Sequence, residues 1–278
     1  MTKKKKNIFF GTIGAFSFLM ATYFSMGFIT EVLFPIWSPP KKIAYPNITS
    51  VKSNNCTFLI PVTINGRKAQ FLFDPSKTHS MVDSRFGKLI PSTFSFGEWF
   101  GISFVKKIEI GDMSFKEIRL PTGKIDGLKK EKVDGILGVD FLVHVRATLD
   151  FQNKKILFDI PESGLTYQRS GFVKLHYSFR NIMPEIDITF AGQAYRSLID
   201  FSKNPDFMNL YTDIIEPSKK NLGFVILGNN KIEGAVKIAS KSDRGTFQDS
   251  LTSLGCKLFS QFKKVTIDFK QKRFSYKF

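Results

Sequence analysis

The chain of 278 residues is long enough for one large domain or two modest ones, and its apolar fraction of 42% is too high for a disordered chain. It carries 41 Lys and Arg residues against 24 Asp and Glu residues, a net charge of +17 at pH 7. The basic residues are scattered along strand-like runs, without an Arg-rich helix or zinc-finger spacing, which favours a lysine-rich solvated surface over a nucleic-acid partner. The three histidines have no ligand spacing, so the sequence predicts no metal and no other cofactor.

The N-terminal segment is typical of a membrane anchor. Residues 1–6 form a basic tail, and residues 7–30 contain no charged side chain. These 24 residues are enough to cross a hydrocarbon core, which needs about 20. A cleaved signal peptide is the competing interpretation, but the long apolar run favours an uncleaved, single-pass signal anchor. With the lysines held in the cytoplasm, the body of the protein lies on the extracytoplasmic side, periplasmic or extracellular.

Residues 31–56 contain several prolines and few strand-like runs, and we predict that they form a stalk. The two cysteines of the chain are Cys56 and Cys256. They are too few and too far apart for a metal cluster. Two interpretations stay open: two buried thiols, or a disulfide in a body that lies outside the cytoplasm.

From residue 57 the sequence becomes strand-dominated, and one stretch of it occurs twice. Residues 60–77 align without a gap to residues 186–203, at a constant offset of 126. Each copy has an alternating apolar run, a turn at a glycine, a second apolar run and then a lone Asp followed by x-Ser-Lys. The two aspartates are Asp74 and Asp200. A carboxylate at the end of a strand in each half predicts a paired-carboxylate site.

A second pair of similar segments closes each half. Residues 133–151 and residues 253–269 both predict a buried apolar pair that ends in Gly, then a short helix and a strand. The halves therefore span residues 57–160 and 181–278, and a linker at 161–180 joins them. Long helical periodicity is missing throughout.

These segments resemble a known family. The apolar hairpin that ends in an Asp loop, the segment Asp134-Gly-Ile-Leu-Gly-Val-Asp-Phe-Leu142 and the Thr-Leu-Asp-Phe strand are similar to the retropepsin-like domains of bacterial aspartic peptidases. Two such units in one chain resemble the two lobes of pepsin-like enzymes. The resemblance implies a mostly β, bilobal pepsin/retropepsin-like fold of two related β-barrel-like lobes, preceded by one transmembrane helix. It also implies that one chain completes the site, so a dimer is not required.

The resemblance further implies a catalytic site. Asp74 and Asp200 fall on the positions of the family's paired aspartates, which share a proton and activate a water for attack on a peptide bond. Residues 94–104 lie where the family has a flap that covers the substrate. The residues that would form the flap or bind substrate are Ser76, Ser202, Gly97, Trp99 and Gly101. Asp140 and Asp150 fall in structural segments, and we interpret them as helix-cap and turn residues.

Both Asp loops depart from the family pattern. The family has Asp-Thr-Gly or Asp-Ser-Gly, whereas this chain has Asp74-Pro75-Ser76 and Asp200-Phe201-Ser202. Neither Pro75 nor Phe201 can supply the hydroxyl that links the family's two loops. The serine that follows in each loop could instead bond its neighbouring Asp. Two functions stay open: a peptidase, or a degenerate domain that binds a peptide or partner protein without cleaving it.

Overall fold

The structure, a computed structural model, describes most of the chain beyond the N-terminal segment. The described residues are 47–49, 58–90, 93–96, 100–111, 113–125, 133–159, 171–177, 183–200, 206–211, 220–239 and 252–278. The chain divides into two units, Met1–Ile36 and Trp37–Phe278, and all described residues belong to the second. The predicted anchor at residues 7–30 lies outside the described residues, and within them no helix is long and apolar enough to cross a membrane.

Strands dominate the described residues in both halves. The strands of the first half are β1 (Asn47–Thr49), β2 (Leu59–Ile64), β3 (Arg67–Phe73), β4 (Met81–Asp83), β5 (Thr93–Phe96), β6 (Phe100–Ile110), β7 (Met113–Gly123), β8 (Gly135–Leu137), β9 (Arg146–Asp150) and β10 (Lys155–Asp159). Those of the second half are β11 (Gly171–His176), β12 (Glu185–Phe190), β13 (Gln193–Ile199), β14 (Met208–Tyr211), β15 (Lys220–Leu227), β16 (Asn230–Ala239), β17 (Thr252–Leu254), β18 (Lys264–Asp268) and β19 (Arg273–Lys277). The described helices are single turns: α1 (Ser84–Gly87), α2 (Val139–Leu142) and α3 (Cys256–Phe259).

Six strands of the first half close into a barrel. Their hydrogen-bonded order is β2-β3-β8-β4-β7-β6, and β6 returns to β2 where Ile108 lies opposite Ile64. β3 and β8 run parallel, with Phe73 opposite Leu137. β5 pairs with β6 outside the closed ring.

The second half repeats this barrel strand for strand. The order is β12-β13-β17-β14-β16-β15, and β15 returns to β12 where Val225 lies opposite Phe190. β13 and β17 run parallel, with Ile199 opposite Leu254. The predicted mostly β, bilobal architecture is therefore confirmed as two related six-stranded barrels in one chain.

The hairpins that open the two barrels have the same turn. In the first, Asn65 and Gly66 have φ values of 49° and 82°, which a two-residue type I′ turn requires. In the second, Ala191 and Gly192 have φ values of 50° and 78°. The offset of the sequence repeat is thus an offset between equivalent β-hairpins.

An antiparallel sheet of six strands joins the barrels. Its order is β1-β10-β9-β18-β19-β11. At the centre, Thr148 of β9 lies opposite Thr266 of β18, and their hydroxyls hydrogen-bond at 3.0 Å. The flanking opposed pairs are Asp150 with Lys264 and Arg146 with Asp268. The sheet therefore has an approximate twofold axis between the two threonines, which relates one half of the chain to the other.

The boundaries predicted around the two halves differ from the structure in two places. The range predicted as a stalk, residues 31–56, contains β1, which pairs with β10 at the edge of the joining sheet. The range predicted as a linker, residues 161–180, contains β11, which pairs with β19 of the joining sheet and, at its end, with β12 of the second barrel. The pairings of β1 with β10 and of β11 with β19 join residues far apart in sequence, and no local pattern marks them.

Candidate functional site

The first Asp loop begins where β3 ends. Asp74 directly follows β3 and is 2% exposed. Its N–H donates to the carbonyl of Leu137 in β8 at 3.0 Å, so the parallel strand pair fixes the backbone that carries the carboxylate. The N–H of Lys77 donates to the Asp74 carbonyl at 3.1 Å, which closes a β-turn. Pro75 is the second residue of this turn, where its fixed φ is favoured and its missing N–H removes no turn hydrogen bond.

Ser76 bonds the carboxylate of Asp74 twice. Its hydroxyl donates to Asp74 Oδ1 at 2.6 Å, and its N–H donates to the same oxygen at 2.9 Å. The hydroxyl contact predicted from the sequence is therefore present in the first loop. Among the described residues other than glycine, positive φ occurs at Asn65, Glu117, Lys154, Ala191 and Lys272. The backbone of Ser76 is therefore outside the left-handed region that favours glycine.

The second Asp loop begins in the same way. Asp200 directly follows β13 and is 5% exposed. Its N–H donates to the carbonyl of Leu254 in β17 at 3.0 Å, the counterpart of the contact between Asp74 and Leu137. Ser202, the predicted partner of Asp200, lies outside the described residues. The structure therefore gives both aspartates the same position in their barrels.

The backbone of α2 holds the first Asp loop through two hydrogen bonds. The N–H of Val139 donates to the Lys77 carbonyl at 2.8 Å, and the N–H of Asp140 donates to the Thr78 carbonyl at 3.2 Å. Gly138 makes this approach possible, because a Cβ there would lie 2.7 Å from the Lys77 carbonyl oxygen. The predicted apolar pair that ends in Gly therefore lies directly against the loop.

The predicted flap region forms a hairpin. β5 pairs antiparallel with β6, with Phe96 opposite Phe100. Gly101 is in β6 and is buried, whereas Gly97 and Trp99 lie outside the described residues. At the base of the hairpin, the hydroxyls of Ser103 and Thr122 hydrogen-bond at 2.7 Å and join β6 to β7. In the second barrel, residues 212–219, between β14 and β15, lie outside the described residues, and the strands that are described include no counterpart of β5.

Of the two aspartates that the sequence predicted to be turn and helix-cap residues, one has the predicted role and one does not. Asp150 accepts from the N–H of Asn153 at 2.8 Å, which confirms it as a turn residue. Asp140 does not cap α2, because the N-cap residue is Gly138. The Asp140 side chain instead accepts hydrogen bonds from Ser80, which is 60 residues away in sequence. The interpretation of Asp140 as a helix cap was therefore wrong. Its hydrogen-bond partner is distant, and nothing in the sequence around Asp140 indicates Ser80.

No model of a known protein family matches the chain, and no curated protein matches it. The repeat and the geometry of the two loops are therefore the basis for a functional assignment. Within the described residues, no group of three or more His, Cys, Asp or Glu side chains is placed to hold a metal ion.

Asp83 fixes the segment that follows the first loop. Its carboxylate caps α1 by accepting from the Arg85 N–H at 3.0 Å, and it also accepts from Arg85 Nε at 2.6 Å and from the Ile125 N–H at 3.2 Å. Burial raises the pKa of Asp83, but these hydrogen bonds and the Arg85 charge outweigh it and hold the pKa below its usual value. The exposed guanidinium and the buried carboxylate thus tie β4 to the end of β7.

A shallow cavity of about 510 Å³ lies on the outer side of the first hairpin, away from the Asp loops. It is lined by Pro61, Val62, Thr63, Lys68, Ala69, Gln70, Glu109, Gly111 and Asp134. Asp134 Oδ2 accepts from the N–H of Gln70 at 2.9 Å, so this carboxylate extends the contact between β3 and the residues just before β8. The cavity contains neither of the repeated aspartates.

Proposed function

We propose that the protein is a membrane-anchored, aspartic-peptidase-like hydrolase that cleaves peptide bonds with a water activated by Asp74 and Asp200. The observation that carries the proposal is the matched position of the two carboxylates. Each follows the second strand of its barrel, each is buried, and each donates its N–H at 3.0 Å to a leucine of the neighbouring parallel strand. The twofold axis between Thr148 and Thr266 supports a symmetric approach of the two loops.

The proposed chemistry needs two carboxylates within hydrogen-bonding distance. Such a pair shares one proton, because like charges so close cannot both ionise. The ionised member takes a proton from water as general base, while the protonated member donates its proton to the peptide carbonyl oxygen. The water oxygen bonds to the carbonyl carbon. When that intermediate collapses, the C–N bond breaks, the leaving nitrogen takes the proton that the general base had accepted from water, and the other carboxylate takes back a proton from a hydroxyl group of the intermediate. Ser76, with two hydrogen bonds to Oδ1, would hold the Asp74 carboxylate in a fixed orientation.

The test uses the full-length chain in detergent with a library of unfolded peptides at mildly acid pH. We expect cleavage by the wild type and none by Asp74→Asn or Asp200→Asn, since each removes one acid–base partner. The matched control is Asp187→Asn in β12, whose side chain is 56% exposed, and it should leave the rate unchanged. Cleavage that survives both Asn substitutions would overturn the assignment.

A second candidate is a binding module that holds a peptide or a partner protein without cutting it. The observation that favours it is the turn of the first loop. There the Asp74 carboxylate accepts from the N–H of Ser76, two residues further along the chain, and Pro75 occupies the second position of the turn. Asp in such a turn is a common structural residue. In this case Asp74 is kept for the loop's shape rather than for proton transfer.

Binding and cleavage are separable in the same peptide library. A binding module would retain labelled peptides at equilibrium, measured by fluorescence anisotropy, while the peptides stay intact over days. Asp74→Asn would then weaken binding through the loop without altering any reaction. Wild-type cleavage that the Asn variants lack would exclude the binding module.

We further propose that residues 7–30 anchor the protein in a membrane with the body on the extracytoplasmic side. Cys256 supports this placement, because it is disulfide-bonded and disulfides persist in oxidising compartments. The other cysteine of the chain, Cys56, lies outside the described residues. Proteolysis of intact cells or spheroplasts should remove the body and spare a short tagged N-terminus. Full protection of the body would contradict this orientation.

A further inference from the structure

The loop that carries Asp74 is closed at its far end by a buried polar contact. Ser80 is fully buried and Asp140 is 6% exposed. Asp140 Oδ1 accepts from the Ser80 N–H and from the Ser80 hydroxyl, both at 2.7 Å. The Ser80 hydroxyl oxygen also accepts from the Gly138 N–H at 2.9 Å. Such short hydrogen bonds to a buried carboxylate are among the stronger ones in proteins.

This contact completes a clamp on the loop. The loop starts at Asp74, whose N–H bonds Leu137, and ends at Ser80, whose side chain bonds Gly138 and Asp140. Both ends of a seven-residue loop are therefore pinned to one short segment, residues 137–140. Motion of the far end of the loop relative to residues 137–140 requires that this contact open.

The second barrel closes without an equivalent contact in the part of the chain that the structure describes. The bond from the Lys257 N–H to the Asp206 carbonyl, at 3.3 Å, is the counterpart of the bond from Asp140 to Thr78. Lys257 thus stands at the place of Asp140. Its side chain is 67% exposed, with Nζ 3.9 Å from an Asp206 carboxylate oxygen.

The register of the strands locates the counterpart of Ser80. Asn209 lies opposite Ser253 in the second barrel, as Met81 lies opposite Ile136 in the first. Met208, which is fully buried, therefore takes the place of Ser80. Since the same strand order closes with a methionine and an exposed lysine, the Ser80–Asp140 contact is not a requirement of the barrel.

We propose that Ser80 and Asp140 are positioning residues that hold the Asp74 carboxylate in its reactive orientation. The inference rests on the proposed hydrolase function. It adds that Asp74 is the member of the carboxylate pair whose orientation these two residues fix. Neither residue touches the substrate. Their effect on the reaction passes through the backbone of the loop.

The test compares full-length wild type with Ser80→Ala and Asp140→Asn. Loss of the contact should lower kcat about 10-fold to 100-fold and leave KM within about twofold, because the substrate contacts are untouched. Hydrogen exchange of the amides at 76–80 should speed up by about 10-fold, while the amides of β6 and β7 keep their protection. Asp140→Asn keeps an acceptor oxygen but removes the charge that strengthens both bonds from Ser80, and it covers the case in which Ser80→Ala fails to fold.

Two control variants separate positioning from general stability. Lys257→Ala, at the counterpart position, should change neither kcat nor amide exchange at 76–80. Ile118→Val, a core change in β7, should lower stability without a selective loss of kcat. Equal losses of kcat in Ser80→Ala and Ile118→Val would overturn the proposal.

The exchange measurement keeps the proposal distinct from the proposed function. If the wild type cleaves nothing, the hydrolase assignment fails, and amide exchange at 76–80 still decides whether the contact holds the loop. Unchanged exchange in both Ser80→Ala and Asp140→Asn would overturn the positioning role, whether or not the wild type is active.

Discussion

Ser76 holds the Asp74 carboxylate with two groups. Its hydroxyl and its N–H both donate to Asp74 Oδ1, so the side chain adds a second hydrogen bond to the one from the backbone. A hydrogen bond to a charged group contributes about 1.5–3 kcal/mol to stability. The Ser76 hydroxyl therefore helps to hold the carboxylate in place.

Ser76→Ala tests this at the level of one atom. The variant keeps the N–H bond and loses the hydroxyl bond, so we expect the free energy of unfolding to fall by about 1–3 kcal/mol. Urea denaturation at neutral pH measures the change. Ser114→Ala, at an exposed position of β7, should stay within about 0.5 kcal/mol of the wild type. A loss in Ser76→Ala no larger than that of the control would contradict the contribution of the hydroxyl.

Gly138 offers a second test, because its role is steric. A Cβ at this position would lie 2.7 Å from both the Lys77 carbonyl oxygen and the carbonyl carbon of His79, and backbone atoms cannot move aside as a side chain can. Gly138→Ala should therefore lower the free energy of unfolding by more than about 2 kcal/mol. Thermal and urea unfolding measure it.

The matched control is Gly223→Ala in β15, where the nearest atom to a new Cβ is a ring carbon of Phe190 at 3.2 Å. That ring can shift, and alanine is favoured over glycine in a strand interior by about 0.5–1 kcal/mol. We expect stability close to that of the wild type. Similar losses in both variants would mean that the loop does not press on Gly138.

At the scale of elements, the turns that follow β9 and β18 are built alike. Asp150 accepts from the N–H of Asn153 at 2.8 Å, and Asp268 accepts from the N–H of Gln271 at 2.8 Å. Asp150 also lies 3.2 Å from Lys264 Nζ of the opposing strand. One carboxylate thus shapes a hairpin turn of the first half and contacts the second half.

The pKa of Asp150 makes this contact measurable. Burial raises it, but the hydrogen bonds from Asn153 and the charge and hydrogen bond of Lys264 outweigh burial and hold the pKa below 3.8. A lowered pKa contributes stability that is present above the unfolded value and is lost as the pH falls through the folded value. Asp150→Asn should cost about 1–3 kcal/mol at pH 7. The difference from the wild type should shrink when urea unfolding is repeated below about pH 3.8.

Asp159→Asn serves as the comparison, since Asp159 is paired within one half, with Arg146 at 2.7 Å. Its effect reports a contact inside β9 and β10 rather than one between the halves. A difference between Asp150→Asn and the wild type that stays constant from pH 7 to pH 3 would exclude the titration of Asp150 as its source.

At the scale of the whole molecule, the sequence repeat was enough to predict two related β lobes. In each half, the hairpin, the Asp loop and the closing segment are each specified by a short continuous stretch of sequence. The turn at Asn65-Gly66 and the positions of Asp74 and Asp200 followed from that pattern. β1 and β11 did not, since β1 pairs with β10 and β11 pairs with β19, both far away in sequence, although β11 also pairs with β12. The contact of Ser80 with Asp140 was not predicted for the same reason. The two residues are 60 positions apart, and a contact over that distance leaves no periodic pattern in the sequence.

The sheet between the barrels makes the two halves one structure. A single buried apolar cluster includes residues of both, among them Leu149 of β9 and Val265 of β18, which lie directly opposite each other. We expect the described body to unfold in one cooperative transition rather than as two lobes. The threonine pair on the approximate twofold axis gives a direct measure of this coupling.

A double-mutant cycle on Thr148 and Thr266 makes the last prediction. Each single change to valine leaves the other hydroxyl without its partner at 3.0 Å, so we expect each to cost about 0.5–1.5 kcal/mol. The double change removes both polar groups and should cost less than the sum, with a coupling of about 1 kcal/mol measured by urea unfolding. Thr63→Val, in β2 of the first barrel, combined with Thr266→Val should be additive. An additive Thr148/Thr266 cycle would mean that the central hydrogen bond does not couple the two halves of the chain.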